Sequence, residues 1–440
     1  MSRILRIELR RSAAAGTALV LLVAGALLLY ASTDGWASGW MALAMVQRQY
    51  LVLLWPLALA AGAWQARREQ RSNVAELFAS TARPLAQRVA PVLAAMTIAV
   101  VAGYAAMTAA AVPWIIGTVS YLPTAVFAVL AVGALSLVAA AWFGMAVGRL
   151  VPSALTAPGL AVAGIGLLLV LTPTAVGGHE GVTAVFSPTQ GLGLFGDFRT
   201  ISGRVSAAQG VWLAALAVTG LVLLAAETRR ARTAALLPAV LGAALAILVI
   251  PRGGDFVESP IDPVARELVC TEAGPRVCVS RMHAGLLAEV EPLARQGLTM
   301  LAKLPNAPTT AAEDTNSFLD EHAQPQRPDT VTFNLRVDSD GHLADDRTFL
   351  PEMLNAAGVN AYACGNELSR PVSRAAAYWL MEREPTAGAH DPAEETAQTR
   401  ALWQSLRKLP EREAAARVAS VRTAALACES LDGLLSRSAA

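Results

Sequence analysis

Charge is scarce in this chain of 440 residues, and lysine is nearly absent. Asp, Glu, Lys and Arg together make up 16% of it, against about 25% in soluble domains. Only Lys303 and Lys408 occur, so arginine supplies almost all the positive charge. Lys303 follows alanine and Lys408 follows arginine, so neither stands in the Gly-Lys-Ser/Thr context of a phosphate-binding loop. That excludes a nucleotide site of that kind. H-E-x-x-H and C-x-x-C are both missing, and His283, His322, His342 and His390 are scattered. A zinc peptidase of that class and a structural zinc site are therefore disfavoured. The formal net charge of +1 carries no footprint of a nucleic-acid partner. No metal, no cofactor and no enzymatic activity is expected.

Apolar length is abundant. Hydrophobic residues are 54% of the chain, concentrated before residue 251. A bilayer core about 30 Å thick takes roughly 20 helical residues. Spans are expected near 13–31, 44–64, 89–112, 124–147, 154–172, 211–226 and 235–250. The last two are short, which leaves a re-entrant pair open. The first could instead be a signal peptide cleaved near Tyr30-Ala31-Ser32, although its apolar run is longer than a usual signal core. Within the spans there is no Asp, Glu, Lys or His, which argues against a proton-coupled pump. The borderline case is Gln47-Arg48-Gln49 at the start of the second span. Arg48 reads either as a side chain snorkelling to the interface or as the polar lining of a substrate path. Pro56 predicts a kink in the same helix.

The connections set the orientation. With the N-terminus cytoplasmic, the inner ones hold Arg3, Arg6, Arg10, Arg11, Arg67, Arg68, Arg71, Arg83, Arg88, Arg149, Arg229, Arg230 and Arg232; the outer short loops hold Arg48, Arg199 and Arg204. Positive charge of this distribution faces the cytosol. An odd number of spans then places the polar tail outside. The expected architecture is an α-helical polytopic membrane protein of about seven transmembrane helices, with a mostly helical α+β extracytoplasmic C-terminal domain. Residues 1–232 form the six-helix membrane domain, 233–251 the seventh helix and 252–440 the external domain.

The loop between spans two and three is the best-defined motif. In it, Asn73 can cap a helix, with Glu76 reaching back three residues on, much as in a capping box. Val74, Leu77 and Phe78 then share one face, and Pro84 limits the helix. A short amphipathic helix flanked by Arg67, Arg68 and Glu69 results, over about 66–82. A solvated basic connection that only obeys the charge rule is the competing reading. Over about residues 1–232 the chain resembles the permease subunits of ABC-2 type exporters. It matches them in order of elements and in the Arg-Arg-Glu … Glu-Leu-Phe pattern. Ile4, Leu5, Ile7 and Leu9 among the first arginines look like that family's interfacial helix. Loop 173–210, with Phe186, Phe195 and Phe198, takes the place of its external hairpin. The excess of arginine and alanine suits a GC-rich, actinobacterial-like genome. The resemblance implies a coupling helix docking into a separate ABC ATP-binding subunit through Arg67, Arg68, Glu69, Val74, Glu76, Leu77 and Phe78. It also implies a homo- or heterodimer of permease subunits in the cell membrane. A seventh span and a large external domain depart from the family pattern. They keep open a non-transporting sensor or assembly protein whose external domain binds a ligand or envelope partner.

All four cysteines, Cys270, Cys278, Cys364 and Cys428, fall in the tail. On an oxidising face they suit disulfides. Three pairings are possible; Cys270–Cys278 with Cys364–Cys428 is favoured because the first two are close in sequence. Residues 281–304 have helical spacing, 305–329 read as loop, and 330–337 alternate as a half-buried strand. Helices are expected over 351–357, 370–383, 392–408 and 410–435. Asp338, Asp340, Asp345 and Asp346 fail the EF-hand spacing and read as a solvated turn. Glu313 with Asp314, or Glu321 with His322, are candidate acid–base pairs.

Overall fold

The computed structural model describes residues 2–68, 85–116, 119–171, 185–189, 198–251, 259–315, 327–338, 340–344, 346–360, 369–387 and 391–436. It divides into two units, Met1–Ile116 with Leu122–Asp262, and Gly117–Tyr121 with Pro263–Ala440.

The first unit is helical: α1 (Ser2–Arg11), α2 (Ala14–Tyr30), α3 (Trp40–Ala66), α4 (Leu85–Ile115), α5 (Ala125–Leu150), α6 (Thr156–Val170), α7 (Gly203–Ala225), α8 (Arg229–Ala234) and α9 (Leu237–Val249). Five helical stretches, Trp40–Ala66, Val89–Ile115, Ala125–Leu150, Gly203–Ala225 and Arg229–Val249, are long and apolar enough to cross a membrane. α2 and α6 are apolar but shorter, at 17 and 15 residues. α3 starts four residues before its expected span, which puts Arg48 inside the helix rather than at its edge. α7 is 23 residues long, not 16. The polar Arg204, Ser206 and Gln209 had set the expected start too late, so its length no longer favours a re-entrant pair. Thr228 caps α8 through its side chain, which accepts the Ala231 N–H at 3.2 Å.

Helices in lipid gain little from the hydrophobic effect between them and rely on close packing. α5 packs against α3, α4, α6 and α7, and glycines permit that approach. A Cβ on Gly62 would lie 2.1 Å from Ala141 O, one on Gly144 2.0 Å from Leu59 O, and one on Gly148 2.7 Å from Ala63 Cα. Gly220 of α7 meets the α5 backbone at Trp142 and Phe143 in the same way. Elsewhere apolar side chains face outward: Leu19, Val23 and Leu27 on α2, Val162, Leu167 and Val170 on α6, and Val240, Leu241 and Leu248 on α9. Apolar area of this extent suits lipid, not water. Beyond α9, Asp262 N–H bonds Phe198 O at 2.8 Å and Thr200 N–H bonds Pro260 O at 2.9 Å, tying the end of the unit to the residues before α7.

The second unit holds a four-stranded sheet, β1 (Leu268–Cys270), β2 (Arg276–Ser280), β3 (Thr310–Glu313) and β4 (Thr330–Phe333), in that spatial order. β1 and β2 are antiparallel; β2–β3 and β3–β4 are parallel. Helix α10 (Leu287–Leu301) makes the crossover from β2 to β3. It is followed after β4 by α11 (Asp346–Met353), α12 (Arg370–Leu380), α13 (Ala393–Arg407) and α14 (Glu411–Leu426). Val277, Val279, Val331 and Phe333 from the sheet bury against Val290, Ala294, Leu298 and Leu301 of α10. Each large apolar side chain so buried contributes about 1.5–3 kcal/mol. The unit is mostly helical as expected, and its described residues carry four strands where at least one is expected. β3 lies inside the segment expected to be loop, because Thr310-Ala-Ala-Glu313 has no β-branched or aromatic run.

Candidate functional site

The residues expected to dock an ATPase are only partly described. Glu69, Val74, Glu76, Leu77 and Phe78 lie outside the described residues. Arg67 and Arg68 follow the last turn of α3, and both are half-buried. Arg68 Nη1 donates to Glu8 Oε2 at 2.9 Å. One turn earlier, Gln65 Oε1 accepts the Ala13 N–H at 2.9 Å. These two bonds hold α1 and the start of α2 against the end of α3, at the point where the arginine-rich loop departs.

Deeper in the same unit is a polar cluster. Arg48 lies eight residues into α3, about 12 Å along its axis. It is 2% exposed, so protein groups rather than solvent meet its charge. Its Nε donates to Pro188 O at 2.8 Å and its Nη2 to Gln209 Oε1 of α7 at 2.9 Å. Gln47 Oε1 accepts from Thr108 Oγ1 of α4 at 3.1 Å. Tyr104, one turn before Thr108, lies on the same face of α4, with its hydroxyl beside Gly133 of α5. Gln47 Nε2 and the Tyr104 hydroxyl are buried and have no hydrogen-bond partner among the described residues. An unsatisfied buried polar group costs about 1–3 kcal/mol, and an arginine at membrane depth about 2.5–3.5 kcal/mol on insertion scales. Of these residues the sequence singled out only Gln47 and Arg48. Tyr104, Thr108 and Gln209 are scattered through apolar runs and carry no local signal.

In the second unit, Cys270 and Cys278 form a disulfide across directly opposed positions of β1 and β2. Cys428 is disulfide-bonded as well; Cys364, its expected partner, lies outside the described residues. The acid–base pairing expected between Glu313 and Asp314 does not form. Glu313 Oε1 instead accepts from His283 Nδ1 at 2.6 Å, and Glu313 Oε2 accepts the Ser280 N–H at 2.7 Å. Asp314 bonds Asn360. Adjacent strand residues point to opposite faces, which is why the neighbours separate. Glu321 and His322 lie outside the described residues. Ser280, His283 and Glu313 are the residue types of a hydrolytic triad, yet Ser280 Oγ meets the same ring nitrogen as the carboxylate, at 3.3 Å. A triad needs one partner on each nitrogen, so this arrangement does not activate Ser280. Among the described residues no cluster of His, Cys, Asp or Glu could hold a metal ion.

Asp338, Asp340 and Gly341 lie in the expected turn, closed by Gly341 N–H on Asp338 O at 3.2 Å, whereas Asp346 opens α11 instead. Asp338 Oδ1 accepts the N–H groups of Asp340 and His342, and Asp345 lies outside the described residues. The exposed His342 donates through Nδ1 to Glu289 Oε1 of α10 at 2.7 Å. Glu289 raises its pKa above the ordinary 6.5, first by that hydrogen bond and then by its charge, helped by Asp338 and Asp340. A raised folded value means the contact stabilises fully below pH 6.5 and fades as pH rises through the folded pKa. An NMR titration is expected to find the His342 midpoint above 6.5, and Glu289→Gln is expected to lower it toward that value.

No family model, no curated protein and no solved structure matches this chain.

Proposed function

We propose that this chain is the membrane-spanning permease subunit of an ABC exporter, energised by a separate ATP-binding subunit and working as a dimer of permease subunits. On this reading seven helices cross the cell membrane, the arginine-rich turns face the cytosol, and the second unit lies outside. Apolar helices at all seven expected positions support it. The observation that carries it is the pair of bonds Arg68–Glu8 and Gln65–Ala13. They gather the amphipathic α1 beside the root of the 66–82 loop, and a docking loop needs a braced root to pass movement into the bundle. With no phosphate-binding loop in the sequence, the energy source is a second protein.

Capture of a co-encoded ATPase tests the proposal. The wild-type chain is expected to retain it, while Leu77→Asp and Phe78→Asp each reduce retention at least about tenfold, since a charge on an apolar docking face costs 1.4 kcal/mol or more. Equal retention by both variants would refute docking through this face. The sensor reading draws on a different observation, the extensive core and disulfide of the second unit. Reconstitution separates the two, because only an exporter gives substrate-dependent ATP turnover with the ATPase added.

A further inference from the structure

The bonds of Arg48 make it a strut between α3, α7 and the segment at Pro188. A strut does not explain what stands beside it. Gln47 and Tyr104 are 0% and 3% exposed, and among the described residues the Gln47 amide nitrogen and Tyr104 hydroxyl have no partner. Thr108 fixes Gln47 by its oxygen, which leaves the amide nitrogen as the donor on offer. Arg48 keeps its charge at any physiological pH. Its two acceptors are neutral, and among the described residues no carboxylate pairs with it. A fixed positive charge, an amide donor and a hydroxyl are the groups that bind an oxyanion.

We propose that Arg48, Gln47 and Tyr104 form a receptor for the oxyanion head of an apolar-tailed molecule, a phosphate or carboxylate borne on a hydrocarbon chain. The tail follows from the surroundings. Met45, Val129, Ile201 and Val205 form an apolar core toward the same end of the bundle, and the expected spans hold no Asp, Glu, Lys or His. A small hydrated anion would have only these three groups to offset its lost water; an amphiphile adds the burial of its own apolar surface. The inference rests on the membrane reading alone and not on the ATPase, so its failure leaves the capture experiment standing.

The test uses the full-length protein in phosphatidylcholine nanodiscs, with dodecyl phosphate, dodecanol and inorganic phosphate as probes in calorimetric titrations. Dodecyl phosphate is expected to bind saturably, and dodecanol and inorganic phosphate at least about tenfold more weakly. Gln47→Glu keeps the shape and the Thr108 contact but supplies a built-in carboxylate. It is expected to weaken dodecyl phosphate at least about tenfold while raising the thermal midpoint. Tyr104→Phe is expected to weaken it severalfold. Dodecyl phosphate binding no tighter than dodecanol overturns the proposal without any variant. So does inorganic phosphate binding as tightly, or an affinity unchanged in both variants.

Discussion

Gly144→Leu is expected to disrupt the membrane unit more than any other single change in it. Gly144 faces Leu59 of α3 so closely that a Cβ would fall 2.0 Å from the carbonyl oxygen. That atom belongs to the backbone and cannot rotate away. Leucine there must separate α3 from α5, and α5 also packs against α4, α6 and α7. Overpacking typically costs 1–3 kcal/mol; a clash with backbone at a central helix should exceed about 3 kcal/mol. Thermal midpoint and monodispersity of the detergent-purified protein measure it. Gly144→Ala should fall between wild type and leucine. Gly159→Leu and Gly166→Leu, on α6, are the controls, since a Cβ at either position meets nothing within 4 Å. Equal midpoints for Gly144→Leu and the α6 variants would mean that α3 and α5 do not pack this way.

Arg422→Met is expected to have the largest effect in the second unit. Arg422 is 0% exposed, and burial lowers its pKa to about 10, which still leaves it charged at neutral pH. Its Nη1 donates to Ala357 O and Gly358 O, both at 2.9 Å, and its Nη2 to Pro328 O at 2.8 Å. The acceptors sit on a backbone that needs holding. Ala356, Ala357 and Gly358 have φ of 46°, 55° and 82°, a left-handed run that costs roughly 1–2 kcal/mol for each residue bearing a Cβ. Methionine fills the volume but leaves three carbonyls without their donor, so a loss of about 3 kcal/mol or more is expected. Lysine, a point charge without the planar fork, should recover only part of it. Chemical denaturation of the full-length protein, followed by Trp379 and Trp403 fluorescence, reads the difference. A methionine variant as stable as wild type would show that the left-handed run does not depend on this guanidinium.

Helices were legible where periodicity or apolar length is strong. The apolar runs of α2 to α7 and α9 and the amphipathic α10 stand where the sequence put them, give or take boundary residues; the arginine-rich α8 occupies what reads as a connection. The boundaries slipped at polar positions: Arg204, Ser206 and Gln209 argue for loop locally, yet they lie in α7, where Ser206 and Gln209 are buried. The β1–β2 hairpin had a signal in Leu268-Val-Cys270 and Val277-Cys-Val279 flanking Gly274-Pro275, which the cysteines overshadowed. β3 had none. Polar sites follow the same division. The proximity of Cys270 and Cys278 in sequence anticipated their bond, because a hairpin is a local structure. His283 with Glu313, Arg48 with Gln209 and Arg422 with the 356–358 run are joined only by tertiary packing, and nothing in the sequence near either partner announces the other.

The proposed topology depends on which side of the bilayer each polar segment occupies. Alkaline phosphatase, which needs its own disulfides and matures only on an oxidising face, fused after Ala440 measures this directly, with green fluorescent protein at the same position as its complement. Active phosphatase and dark fluorescent protein are expected. Bright fluorescence with inactive phosphatase would place the cysteine-bearing unit in the cytosol and contradict the proposed topology.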